Sequence, residues 1–213
     1  MRLKSESVGR WAWVLVVCGA LDAQAQSTTS RWTNAGGDYQ WTNPANWSDN
    51  TVPGPASDVV FDDSAAGASV VSNSAAFYPI FRDILLSRTG GFNLDNGGYP
   101  CFAIGGNVRV LRANEPSPYV VGNIYGISRV DVAAGSTLHF NRYWPLGNMT
   151  VSGGGRAAFQ PDINTGFTSL TLADGSTTEM HHRNGWGLTV GQLRGAGTFI
   201  LCANDQIMGL KIR

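Results

Sequence analysis

The sequence predicts an all-β chain wound as a solenoid, and three observations carry that prediction. The segments VDVAAGSTLHF from Val130, MTVSGGGRAAF from Met149 and LTLADGSTTEM from Leu170 obey one template, with starts 19 and 21 residues apart. Helix formers are scarce: the only lysines are Lys4 and Lys211, and the only glutamates Glu6, Glu115 and Glu179. A stretch dense in Trp, Asn, Pro and Gly precedes the repeats and shows turn dipeptides in place of alternation.

The elements follow in chain order. Residues 1–25 read as a secretory signal peptide. Arg2, Lys4 and Arg10 form the positive region, Trp11 to Leu21 the apolar run, and Ala23-Gln24-Ala25 the small-x-small cleavage site ahead of Gln26. The run stops at Asp22, short of the roughly 20 apolar residues that a membrane span needs. Cys18 follows Val17, where a lipidated cysteine would follow a small residue. Export excludes cytosolic substrates and nucleic acid. Removing the leader takes 3 of 15 basic and 2 of 15 acidic residues, leaving 12 against 13. No basic surface remains for phosphates or anionic lipid. Glycine holds 25 of the 188 mature positions, well above the usual ~7%, which suits short strands and tight turns.

Residues 26–58 form the Trp-rich zone, with Trp32, Tyr39, Trp41 and Trp47. A solenoid end exposes an apolar cross-section and needs a cap, and this zone is read as that cap. Exposed rings stacking on sugars are the other reading of the same four residues. Residues 59–213 are the coils. Ala75 to Leu86 places Phe77, Phe81 and Ile84 at helical spacing, but Pro79 argues against a helix, so a loop leading into a strand at Ile84 is expected.

Each coil template reads apolar, x, apolar, two residues, Gly, four residues, large apolar. Its glycines are Gly135, Gly154 and Gly175, and its closing residues are Phe140, Phe159 and Met180. Alternation sends every second side chain inward, and the glycine permits a corner of positive φ. A fourth copy starts at Leu188 with two extra residues before Gly195, and weaker copies run through Ile84, Leu86 and Leu94 and through Val108 and Val110. One strand pair cannot bury its own face, so each coil stacks on the next. An antiparallel sandwich also has short strands between turns, but it does not require one template at one phase. Phe140, Phe159 and Met180 are expected to stack as an internal ladder.

The set Trp32, Gly36-Gly37, Trp41, Asn46-Trp47, Pro53, Asp58 and Phe61 resembles the opening of passenger regions in bacterial autotransporters and related surface proteins with autotransporter-associated β-strand repeats. The tail LRGAGTFIL, Leu193 to Leu201, resembles their glycine-containing coils. The resemblance covers most of the mature chain. It implies a right-handed parallel β-helix with a Trp-rich N-terminal cap, displayed outside a Gram-negative-type cell. Such passengers run much longer and precede a translocating β-barrel, so a C-terminally truncated solenoid is expected here.

Catalytic constellations are absent from the sequence: no G-x-S-x-G, H-E-x-x-H, C-x-x-C or P-loop occurs. Lys211 is the one mature lysine, which disfavours a lysine nucleophile. Of the three histidines, His139, His181 and His182, the adjacent His181 and His182 would face opposite ways on a strand, poor geometry for sharing a metal, and are read as a solvated turn. Asp58, Asp62 and Asp63 offer oxygen ligands but lack a calcium-loop pattern. Asp131 and Asp174 sit at neighbouring template phases, where a polysaccharide-cleaving β-helix would need paired carboxylates. Asn46-Trp47-Ser48 and Asn148-Met149-Thr150 match the glycosylation sequon. Cys101 and Cys202 are 101 residues apart, about five coils at ~4.8 Å each, and are expected to remain free thiols.

The expected function is that of an exported, non-enzymatic surface or adhesion module without a cofactor, with surface glycans or ligands on host or neighbouring cells as partners. A carbohydrate-active β-helix and a small carbohydrate-binding module built on Trp32, Tyr39, Trp41 and Trp47 are the alternatives. The leader makes one claim checkable directly. Mass spectrometry of the exported protein is expected to find Gln26 at the N-terminus, and an intact Met1 would reject cleavage.

Overall fold

The computed structural model describes residues 28–65, 70–72, 80–89, 92–95, 101–111, 119–122, 124–141, 147–160, 165–182, 188–203 and 206–211. Residues 1–25, read from the sequence as a signal peptide, lie outside them. Strands are numbered along the chain. The first sheet stacks β1 (Thr28–Arg31), β2 (Ser57–Phe61), β4 (Ile80–Leu86), β6 (Cys101–Val110), β9 (Arg129–Val132), β11 (Asn148–Ser152), β14 (Ser169–Leu172) and β17 (Leu193–Gly195), in that order. The second runs from β3 (Val70–Ser72) through β5 (Phe92–Asp95), β7 (Tyr119–Gly122), β10 (Thr137–Asn141), β12 (Arg156–Gln160) and β15 (Thr177–His182) to β18 (Thr198–Ala203) and β19 (Gln206–Lys211). A third, shorter face pairs β13 (Thr165–Phe167) with β16 (Leu188–Val190), and β8 (Ile124–Tyr125) pairs the front of β6. The strand pairs are parallel apart from β18–β19, so the chain is a parallel β-solenoid and not a sandwich.

Two sets of inward ladders make the core. In the first sheet, Val59, Ile84, Val108, Val130, Val151 and Leu172 pair in succession, and each is at most 1% exposed. In the second, Phe140 pairs with Phe159 and Phe159 with Met180, all buried. The two phenyl rings stack at 4.7 Å with 5° between planes. The ladder expected from the template is therefore present. The register carries it on to Leu94 on one side and Leu201 on the other.

The first sheet departs from the template by two residues. Sequence alignment sets Val130 beside Met149, but Val130 pairs with Val151, and Met149 pairs with Leu170. Gly153-Gly154-Gly155 absorbs the step. Gly153, at φ 84°, takes the positive φ expected of Gly154, and a Cβ on Gly153 would lie 2.1 Å from the Val132 carbonyl oxygen. Gly135 and Gly175 keep the expected corner conformation, at φ 77° and 76°. A step of two preserves which side chains face inward, whereas a step of one would turn the strand inside out.

Three further expectations are corrected. The strand expected at Ile84 begins at Ile80, because Phe81 is fully buried and a register shift between Phe81 and Asp83 joins its two halves. The fourth coil enters the first sheet with Leu193, which pairs with Leu170; its apparent start, Leu188 to Val190, belongs to the third face. His181 and His182 lie in β15, not in a turn, and His139 lies in β10. The backbone also places Cys101 in β6 and Cys202 in β18, four rungs apart and not five. That is about 19 Å along the axis, beyond the ~7 Å reach of a disulfide.

Phe159 occupies the centre of the second-sheet ladder with no exposure. Phe159→Ala is expected to lower unfolding free energy by about 3–5 kcal/mol, read from denaturant melts with an unchanged m-value. A loss below about 1 kcal/mol would show that the stack is dispensable.

Candidate functional site

Two constellations stand out, the capped end and a charged cluster on the outside of the second sheet. At the end, Trp32, Trp41 and Trp47 are 1%, 0% and 1% exposed. Trp47 meets Trp32 edge-on at 5.1 Å and Trp41 at 4.7 Å. All three converge on Phe61 of β2, and Trp41 reaches Phe81 of β4 at 5.5 Å. Aromatic pairs of this kind add about 0.5–1.5 kcal/mol each beyond burial. The tryptophans thus close the apolar end of the coils, and their faces are not open to a sugar. Of the four aromatic residues named from the sequence, Tyr39 alone is exposed, at 42%.

Asn46, itself fully buried, holds the cap loop. Its side-chain oxygen accepts from the Gly36 N–H at 2.8 Å, and its amide donates to Asp38 Oδ1 at 2.6 Å and to the Gln40 carbonyl at 2.9 Å. Its backbone carbonyl accepts from Thr33 and Asn34 N–H groups. Asn43 donates to the other Asp38 oxygen, and Ser30 Oγ ties the first rung to Asp49 at 2.9 Å. Gly36 is required here: a Cβ would meet Asn43 Nδ2 at 2.4 Å and Asn46 Oδ1 at 2.8 Å. Tyr39 sits at φ 58°, unusual for a bulky residue, and its N–H donates to Asn34 Oδ1. The Gln40 N–H, followed by the Asn46 amide, holds the Asp38 carboxyl below its ordinary range.

The other acidic candidates are spread along the coils. Asp58 forms a two-point pair with Arg82, Asp62 pairs with Arg31, and Asp63 accepts from the Thr89 N–H and hydroxyl at 2.6 and 2.8 Å. Each links one rung to the next. Asp131 accepts from Ser152 Oγ at 3.2 Å, whereas Asp174 is exposed at a corner two rungs further on. Of the sequon residues, Asn46 is sealed in the cap and Asn148 is exposed.

The cluster on the second sheet escaped sequence reading. Phe140, Phe159 and Met180 point inward, so alternation sends their neighbours His139, Ala158 and Glu179 outward in one ladder. Glu179 is only 7% exposed although it faces out. One of its oxygens, Oε2, takes both an ion pair from Arg156 and a contact from His181 Nε2 at 3.1 Å. Burial, followed by the charges of Arg156 and His181, pushes the His139 imidazole below its ordinary value. The template marks these positions only as variable; their outward register makes them neighbours. Comparison with known proteins finds no match for the chain among family models, curated proteins or solved structures.

The cap network sets a pH dependence. A folded-state carboxyl held low adds stability above its unfolded value of about 4, and that stability is lost as pH falls through the lower folded value. The stability difference between the native chain and Asp38→Asn is therefore expected to shrink on acidification below about pH 4. Gly36→Ala is expected to cost about 1–3 kcal/mol by disrupting the bonds of buried Asn46. Denaturant melts at several pH values check both, and a difference that grows on acidification would reject the assigned sign.

Proposed function

We propose that the chain is an exported, non-enzymatic surface module, of the passenger-like or adhesion kind, that displays its coils to glycans or ligands on host or neighbouring cells. One observation carries this reading: a capped parallel solenoid holds continuous sheet faces in fixed register, with the cap's tryptophans enclosed at its end. Such a body suits extended, repetitive contact, because outward residues recur at rung spacing, about 4.8 Å. The sparse charge and scarcity of catalytic motifs agree with binding over turnover. The leader-like N-terminus supports export to the cell surface, with the periplasm crossed in transit. The likeness of the Trp-rich opening to autotransporter passengers points the same way.

The test combines location with binding. Fractionation of producing cells is expected to recover the protein in the medium or on the outer surface. The purified chain is expected to bind a subset of an immobilised glycan panel and leave chain lengths unchanged. Shortening of any bound polysaccharide would replace this reading with the enzymatic one. Recovery from the cytosol would reject export.

A further inference from the structure

We propose that the cluster of His139, Arg156, Glu179 and His181 on the outer face of the second sheet is a binding site for carboxylate-bearing glycans, filled when its histidines are protonated. The proposal rests on the surface-module reading and names the ligand class for one face of it.

Outward positions in a solenoid are satisfied by short polar side chains, as Thr137 and Thr177 show on the same strands. A carboxylate at 7% exposure is costly there, and an ion pair so placed adds little net stability. What the arrangement supplies is position. Glu179 draws Arg156 and His181 to the same oxygen and fixes both over the sheet. Ala158, buried between His139 and Glu179 in the ladder, is the one small residue of the group. The Arg156 side chain stays 45% exposed, and Glu179 engages only its Nη2. A guanidinium carries five N–H donors, so the rest of its fork is free to take a planar carboxylate.

Charge then decides when the site fills. With neutral histidines, Arg156 and Glu179 cancel. Protonating His139 and His181 adds two positive charges over a patch of a few rungs. The groups around His139 are Arg156 from β12 and Glu179 and His181 from β15, while β7 places Val120 beside it. Burial and the neighbouring cations favour neutral His139 in the free protein. A bound carboxylate opposes that preference, so ligand and proton enter together as pH falls. Parallel strands repeat along the axis at about 4.8 Å, which suits a linear polymer whose acidic groups recur better than a compact anion.

Calorimetric titration of the full chain with alginate oligosaccharides tests this at about pH 5 and about pH 7.5. Binding is expected to be at least about tenfold tighter at the lower pH. The same oligosaccharides with their carboxyls reduced to alcohols are expected to bind at neither. Arg156→Gln is expected to weaken binding at low pH at least about tenfold. His139→Gln combined with His181→Gln is expected to hold binding at the weak neutral-pH level throughout. Glu179→Gln removes the opposing charge and is expected to tighten binding at neutral pH, an effect that a purely structural role would not produce. Affinity independent of pH, equal binding of the reduced oligosaccharides, or equal binding of polyglutamate would overturn the proposal. Binding of neutral glycans unaffected by Arg156→Gln would overturn it while leaving the surface-module reading in place. Cleavage of the alginate would end the non-enzymatic reading and leave the assigned site standing.

Discussion

Inward ladders that run from coil to coil are the interaction on which every other feature of this molecule depends. A strand of four or five residues buries nothing useful alone, and its other face must meet solvent. Stacking solves this only if each coil presents an apolar residue at the same height and on the same side. That requirement explains why the departure at Val130 is a step of two. Val130 finds Val151 in place of Met149, and parity survives. It also explains where glycine is indispensable. Gly153 lies where the tightened corner brings the backbone against the Val132 carbonyl, leaving no room for a side chain.

Ladders must end somewhere, and the cap answers that need with chemistry of a different kind. Trp32, Trp41 and Trp47 cover the last apolar residues of the coils, notably Phe61 and Phe81. Large rings cannot be held by a loop unless the loop itself is rigid. Asn46 supplies that rigidity by bonding to Thr33, Asn34, Gly36, Asp38 and Gln40 of the turn while fully buried. The motif of tryptophans, paired glycines and asparagine is thus a single device, with apolar closure on one side and hydrogen-bonded scaffolding on the other.

With the core and its end secured, the outer faces are free of folding constraints, and they divide into two kinds. Along the first sheet, charged residues pair one rung to the next, as in Asp58–Arg82 and Arg31–Asp62. Such pairs stitch neighbours, and their individual worth is small because solvent screens them. On the second sheet, Arg156 and His181 converge on the nearly buried Glu179 beside His139. Here a rung-to-rung pair, Arg156–Glu179, is flanked by two histidines.

The sequence by itself determined the class of fold and the ladder. Period, alternation and side-chain volume are local quantities, and Phe140, Phe159 and Met180 carry their phase openly. It also showed the tryptophans to be suited either to closing an end or to holding a sugar. Tertiary structure alone decided between those for Trp32, Trp41 and Trp47, because burial depends on what packs over a ring. It alone placed Leu193 and not Leu188 opposite Leu170, since coil length varies in corners that local pattern does not count. The histidine cluster was illegible for the same reason. His139, Arg156 and Glu179 lie about twenty residues apart in sequence, and only the register of parallel strands, set by the buried residues between them, makes them neighbours.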